Sequence, residues 1–180
     1  MQSLRYALVA YVTDAVGEFV ENLRRELHPE LPHLPAHITI LPPRHLQGSE
    51  LSALEMLEDI CSQVQPFEVL LGDVQTFIPL TPTVFIRIQS EERIRELHSQ
   101  FDTRFLRAAE EWPYVPHLTI AKLTSQELAQ RAYRTARERW STFPGSRTIQ
   151  VKELTFVRER QQDRWEDLAE LPLGSSLVKG

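Results

Sequence analysis

Two periods of apolar and polar residues alternate along this chain and divide it into strands and helices. Leu4 to Val12 is apolar and β-prone and predicts a first strand. Thr13 or Asp14 can cap a helix there through its side-chain oxygen. Phe19, Val20, Leu23 and Leu27 then recur at helical spacing and give that helix one apolar face. His28-Pro29 ends it, and a loop from Pro29 to Pro35 leads to a strand that Pro42-Pro43 should stop, because proline has no N–H for a ladder. Ser49 predicts the cap of a second helix with Leu51, Leu54, Leu57 and Ile60 as its buried stripe. Phe67 to Ile78 is a β-prone run broken at Gly72-Asp73; Pro79 and Pro82 flank a turn, and Thr83 to Ile88 completes a hairpin-like pair.

The second half runs through a similar programme. Ser90 predicts a helix cap, followed by Ile94, Leu97, Phe101 and Phe105 on one face and Leu106 near the end. Pro113 to Pro116 is a loop before a strand from His117 to Leu123. Thr124 or Ser125 caps a further helix along Leu128, Ala132 and Ala136, and Pro144-Gly145 breaks the chain after it. Thr148 to Val157 predicts a strand, Arg158 to Asp163 a polar turn and Trp165 to Leu171 a last strand, with a frayed tail after Gly174. The order is compatible with an α+β fold in which two antiparallel sheets face each other across a cleft with helices outside.

One pattern occurs in both halves. Pro35-Ala36-His37-Ile38-Thr39-Ile40 is matched by Pro116-His117-Leu118-Thr119-Ile120, and the two histidines stand 80 positions apart in 180 residues. Residues i and i+2 of a strand share a face. His37 and Thr39 therefore point opposite to Ile38 and Ile40, and His117 and Thr119 opposite to Leu118 and Ile120. An internal duplication explains the matching motifs and their spacing, with repeats near 1–80 and 81–180 and a boundary about Thr81. Imidazole titrates near neutrality, so two of them on related strands make a candidate acid–base pair.

Composition narrows the partners. The chain carries 20 Lys and Arg against 25 Asp and Glu, a net charge of −5. A protein gripping long nucleic acid by its backbone usually shows a basic footprint, so a small nucleotide or an RNA end fits better. The single cysteine, Cys61, excludes an internal disulfide and fits a reducing cytoplasm. The opening residues Met1 to Tyr6 do not read as a signal peptide, and no apolar run approaches the length of a membrane span. His33 and His37 share a spacing seen in helical zinc sites, but Pro35 lies between them and no ligand set is completed, so no metal and no cofactor are expected. His28, His33, His45 and His98 have no paired context and read as surface residues.

The doubled His-x-Thr-x motif resembles the two-histidine phosphoesterase superfamily, which includes 2′–5′ RNA ligase-like proteins, RNA 2′,3′-cyclic phosphodiesterases and plant cyclic phosphodiesterases. The resemblance covers nearly the whole chain. It implies one bilobal, pseudo-symmetric domain over residues 1–180 with both motifs facing a central cleft. It also implies metal-independent cleavage of a 2′,3′-cyclic phosphate, on an RNA 3′ end or a small nucleotide, leaving a 2′-phosphate. His37 and His117 are then the catalytic pair, while Thr39 and Thr119 donate hydroxyl hydrogen bonds to phosphate. RNA-ligase-like relatives commonly carry arginine five positions after the second histidine; here Lys122 stands there, a compact charge rather than a bidentate fork. Arg44 is a rival anion ligand or a solvated loop charge, and Tyr114 and Phe77 could stack on a base or simply pack. A monomer in the cytoplasm is expected. The competing readings are a phosphodiesterase for 2′–5′ oligonucleotides or ADP-ribose cyclic phosphate, and a module that binds nucleotide phosphates without turnover.

Overall fold

Helix caps and apolar faces give most of the elements their limits. In the computed structural model, which describes residues 4–28, 34–162 and 164–174, the chain runs β1 (Arg5–Tyr11), α1 (Ala15–Leu27), β2 (His37–Arg44), α2 (Glu50–Ser62), β3 (Phe67–Thr76), β4 (Thr83–Ile88) and α3 (Glu92–Phe101). A 3₁₀ turn (Arg104–Leu106), β5 (His117–Lys122), α4 (Gln126–Ser141), β6 (Thr148–Val151), β7 (Glu153–Gln161) and β8 (Arg164–Pro172) complete it. Asp14, Ser49 and Ser125 cap α1, α2 and α4 by accepting backbone N–H bonds. His33, most of the loop from Pro29, Asp163 and the tail beyond Gly174 lie outside the described residues.

The strands form one antiparallel sheet in the order β6-β3-β4-β5-β2-β1-β7-β8, rather than two separate sheets. Each motif strand has one edge filled by a neighbour, β1 beside β2 and β4 beside β5. The two remaining edges satisfy each other where Ile38 pairs with Leu118, which joins the sheet at its centre. The helices cover one face: α4 lies against β3, β4 and β5, α1 against β5, α2 against β8 and α3 against β2. Leu8, Ile38, Ile40, Ile86, Leu118 and Ile120 are buried beneath them. The other face carries a smaller apolar cluster of Ala7, Val9 and Val157, with Tyr11, Leu34 and Trp165 packed against it.

Several elements depart from the pattern-based expectation. β2 continues through Pro42-Pro43 to Arg44. There the strand meets β1 only at Leu41 and Arg44, with the prolines falling between paired positions, and β5 has already turned away after Ile38. Gly72-Asp73 does not end β3; it is a register shift between Leu71 and Val74. Ser90 is not a helix cap, because its hydroxyl accepts from the Leu70 amide. The N-cap of α3 is Glu91, and the helix stops at Phe101, leaving Phe105 in the 3₁₀ turn. The predicted strand from Thr148 to Val157 divides at Lys152, since its first part pairs with β3 and its second with β1 and β8. Arg158 to Gln161 remain inside β7, so the turn before β8 is shorter than the polar run suggests. Leu51 and Leu128 are exposed; α4 buries Ala132 and Ala136 as expected, with Ala129 and Trp140 in place of Leu128.

A matched irregularity sits in both motif strands. Leu8 pairs with Leu41 and Val9 with Thr39, passing over Ile40; Val84 pairs with Ala121 and Phe85 with Thr119, passing over Ile120. At each bulge two successive residues, Ile40-Leu41 and Ile120-Ala121, are both buried. The alternation is thereby inverted, and Lys122 emerges on the face of His117 and Thr119 instead of the helix face.

Candidate active site

The open face of the two central strands carries the doubled motif. His37 and His117 are the first residues of β2 and β5. Each imidazole places Nδ1 2.7 Å from the carbonyl oxygen two residues back, Pro35 O and Val115 O respectively. A carbonyl only accepts, so in both rings Nδ1 carries the proton and donates, leaving Nε2 available for proton exchange. The pairing of Ile38 with Leu118 sets His37 opposite Thr119 and Thr39 opposite His117 on that register. Among the described residues neither threonine hydroxyl has a hydrogen-bond partner.

Both imidazoles are packed round by protein while keeping part of their surface open. Burial pushes the His37 pKa down to about 4; the Pro35 carbonyl opposes this, and the charges of Arg24, Lys122 and His117 add to the lowering. Burial likewise lowers the His117 pKa, against the Val115 carbonyl and with Lys122. Lys122 therefore lies within electrostatic reach of both rings. Tyr11 stands edge-on to His37. Phe77 and Phe85, stacked 4.1 Å apart, present themselves to His117 at 5.0 and 5.3 Å.

The bulges leave backbone carbonyls that need donors, and two different sets of side chains supply them. From α1, Arg24 donates through Nε to Ile120 O at 2.9 Å, through Nη2 to Thr119 O at 2.7 Å and through Nη1 to Leu34 O at 2.8 Å. Glu21 accepts from the same guanidinium and from the Ala36 amide, tying α1 to the entry of β2. On the other strand the Tyr114 hydroxyl donates to Thr39 O at 2.6 Å, and His98 Nδ1 to Ile40 O at 2.8 Å. The rings of His98 and Tyr114 stack at 3.8 Å.

These contacts reassign several residues. Arg44 is neither an anion ligand nor a solvated charge; it is 4% exposed and bonds Asp102, Glu110 and the Leu106 and Pro42 carbonyls. Glu110 also meets His98 Nε2 at 3.1 Å, so His98 belongs to a partly buried network and is not a free surface residue. His45 is exposed beside Leu4 O, and His28 follows the end of α1. Tyr114 holds β2, whereas Phe77 lies against His117. Arg24 could not be singled out beforehand, because a basic residue in a helix's last turn is ordinary. Among the described residues no three His, Cys, Asp or Glu side chains gather where they could hold a metal. No described helix is long and apolar enough to cross a membrane.

Comparison with known proteins gives the family and the fold. The family model of the 2′-5′ RNA ligase superfamily matches residues 12–163. The chain belongs to that superfamily. A relative from Halalkalibacterium halodurans, whose name marks it as a candidate phosphoesterase, is 28% identical over 125 residues, 69% of this chain and 73% of that one. A similarly named protein of Bacillus cytotoxicus is 24% identical over 159 residues, 88% and 91% of the two chains. Among solved structures, TT0787 of Thermus thermophilus superposes with a TM-score of 0.63 at 15% identity, covering 94% of this chain and 98% of that one. E. coli LigT complexed with 3′-AMP gives 0.61 at 15% identity, covering 96% and 99%. These two share the fold of this 2′-5′ RNA ligase superfamily member, and the relatives from Halalkalibacterium halodurans and Bacillus cytotoxicus carry phosphoesterase names.

Proposed function

We propose that this protein hydrolyses 2′,3′-cyclic phosphates, on an RNA 3′ end or a small nucleotide, to 2′-phosphates by acid–base catalysis between His37 and His117. One imidazole takes a proton from water through Nε2 as the water oxygen bonds to phosphorus. The P–O3′ bond then breaks, and the other imidazole delivers its Nε2 proton to the departing ribose oxygen. The observation that carries this reading is the matched pair of rings, each with Nδ1 committed to a backbone carbonyl and Nε2 left over, on adjacent strands of one face. The reaction needs one ring neutral and one protonated. With both pKa values lowered, an incoming phosphate anion supplies the charge that favours the second proton.

Thr39 and Thr119 are proposed to donate to the non-bridging phosphate oxygens, and Lys122 to offset their charge. Phe77 is proposed to offer a base-stacking surface beside His117. The whole chain, 1–180, is read as one catalytic unit. Structures of LigT with 3′-AMP and with ATP support a nucleotide as the ligand class. The test is a panel of 2′,3′-cyclic mononucleotides, RNA with a cyclic end, 2′–5′ oligoadenylate and ADP-ribose cyclic phosphate, assayed with EDTA present. Chelator-resistant production of a 2′-phosphate from the cyclic ends supports the proposal; turnover of only the other two substrates, or of none, overturns it.

A further inference from the structure

A second cation sits on the same face without a use in the scheme above. Arg87 of β4 is the cross-strand partner of His117, and its side chain shares that face. It reaches away from β5 and across β3 at Gly72. A Cβ built on Gly72 would stand 2.9 Å from Arg87 Nη2 and 3.2 Å from its Cζ, so the guanidinium lies flat on bare backbone. Gly72 precedes Asp73 within the register shift of β3, and its carbonyl is held from the helix side by Trp140 Nε1 at 2.9 Å. Arg87 is half-buried, yet among the described residues it has no ion pair or hydrogen-bond acceptor. The cations at the opposite end of the sheet are engaged: Arg158 bonds Glu50 and Glu166, and Arg160 pairs with Glu166.

A planar guanidinium with unused donors is suited to bidentate binding of phosphate. Strands are spaced about 4.8 Å apart, so a group over β3 lies on the order of 10 Å from β5. That span is one a single nucleotide can bridge, with the aromatic pair Phe77 and Phe85 lying beside His117 at its start. We infer that Arg87, seated on Gly72, binds the 5′-phosphate of the nucleotide whose cyclic phosphate lies at His37 and His117. The inference rests on the proposed function. A ribose closed as a 2′,3′-cyclic phosphate continues only through its 5′ oxygen, so the second phosphate is the 5′ one. The substrate class is then a terminal nucleotide that carries a 5′-phosphate or is joined through it to an RNA chain, in preference to a free cyclic nucleoside phosphate.

The experiment measures affinity for adenosine 2′-monophosphate and adenosine 2′,5′-bisphosphate by calorimetry. The wild type is expected to prefer the bisphosphate, and Arg87→Met to lower that preference roughly tenfold, the scale of a charge-assisted contact. Arg87→Lys should restore part of it. Gly72→Ala, whose added methyl meets only the end of the Arg87 side chain, should lower the preference severalfold with the charge intact. A wild type without the preference, or a ratio in Arg87→Met within twofold of the wild type, overturns the inference. Turnover of the cyclic forms with and without a 5′-phosphate is followed in parallel. Absence of turnover with an intact, Arg87-dependent preference removes the hydrolytic reading and leaves the 5′-phosphate site.

Discussion

The strand that begins with His37 and the strand that begins with His117 meet the same structural demands with different side chains. Both fix Nδ1 on a carbonyl two residues back, and both bulge just past the threonine so that consecutive apolar residues are buried. The carbonyls at the β5 bulge are gripped by one charged side chain, Arg24. Those at the β2 bulge are shared between Tyr114 and His98. Five residues after His117 stands Lys122, and five after His37 stands Pro42. The identical parts are those that face the proposed reacting atoms. The divergent parts hold the strands and surround the substrate, which leaves one side of the seam cationic and the other lined by Tyr11, Val9 and Trp165.

If the two halves are equal in the chemistry, His37→Ala and His117→Ala should each lower kcat by about 100-fold or more, and the double variant should be little worse than either. A large loss in only one single variant would show that the halves have divided the work. The supports should differ in stability. Arg24→Ala removes a buried cation and orphans three carbonyls, and should cost about 3 kcal/mol in urea unfolding. Tyr114→Phe removes one neutral hydrogen bond and should cost about 1 kcal/mol.

The flanks should differ in titration. Because His37 and His117 are both lowered, the singly protonated pair is most populated below pH 6.5, and kcat/KM should peak on that acid side. Lys122 lowers both, so Lys122→Met raises both and should move the peak to higher pH. A further effect concerns folding. The unfolded chain keeps an ordinary imidazole near 6.5 while folded His37 titrates at about 4. Its contribution is thus full above pH 6.5 and is lost as pH falls towards 4, where the unfolded state binds the proton first. His37→Gln should flatten the stability profile across that window.

The doubled motif was readable because a period of two puts His and Thr on one face wherever a strand forms, and that holds for both copies. The helix faces followed from apolar spacing, as in α1, where Val20 and Leu23 are buried as expected. What escaped depended on partners distant in sequence. Pro42-Pro43 looks like a stop until β1 is seen to skip past it, and Ser90 looks like a cap until Leu70 takes its hydroxyl. Arg44 and His98 resemble ordinary surface residues, yet Glu110, 66 positions beyond Arg44, draws them into one network. The two sheets merged because the pairing of Ile38 with Leu118 is a property of two free edges, which hydrophobic pattern does not encode.

That two imidazoles serve one phosphate is tested most directly by NMR titration of the His37 and His117 ring nitrogens. Protonated Nδ1 and free Nε2 are expected in both rings above pH 7. Added adenosine 2′-monophosphate should perturb both Nε2 signals along a single binding curve. Perturbation of one ring alone, or two curves with different midpoints, would contradict a shared phosphate.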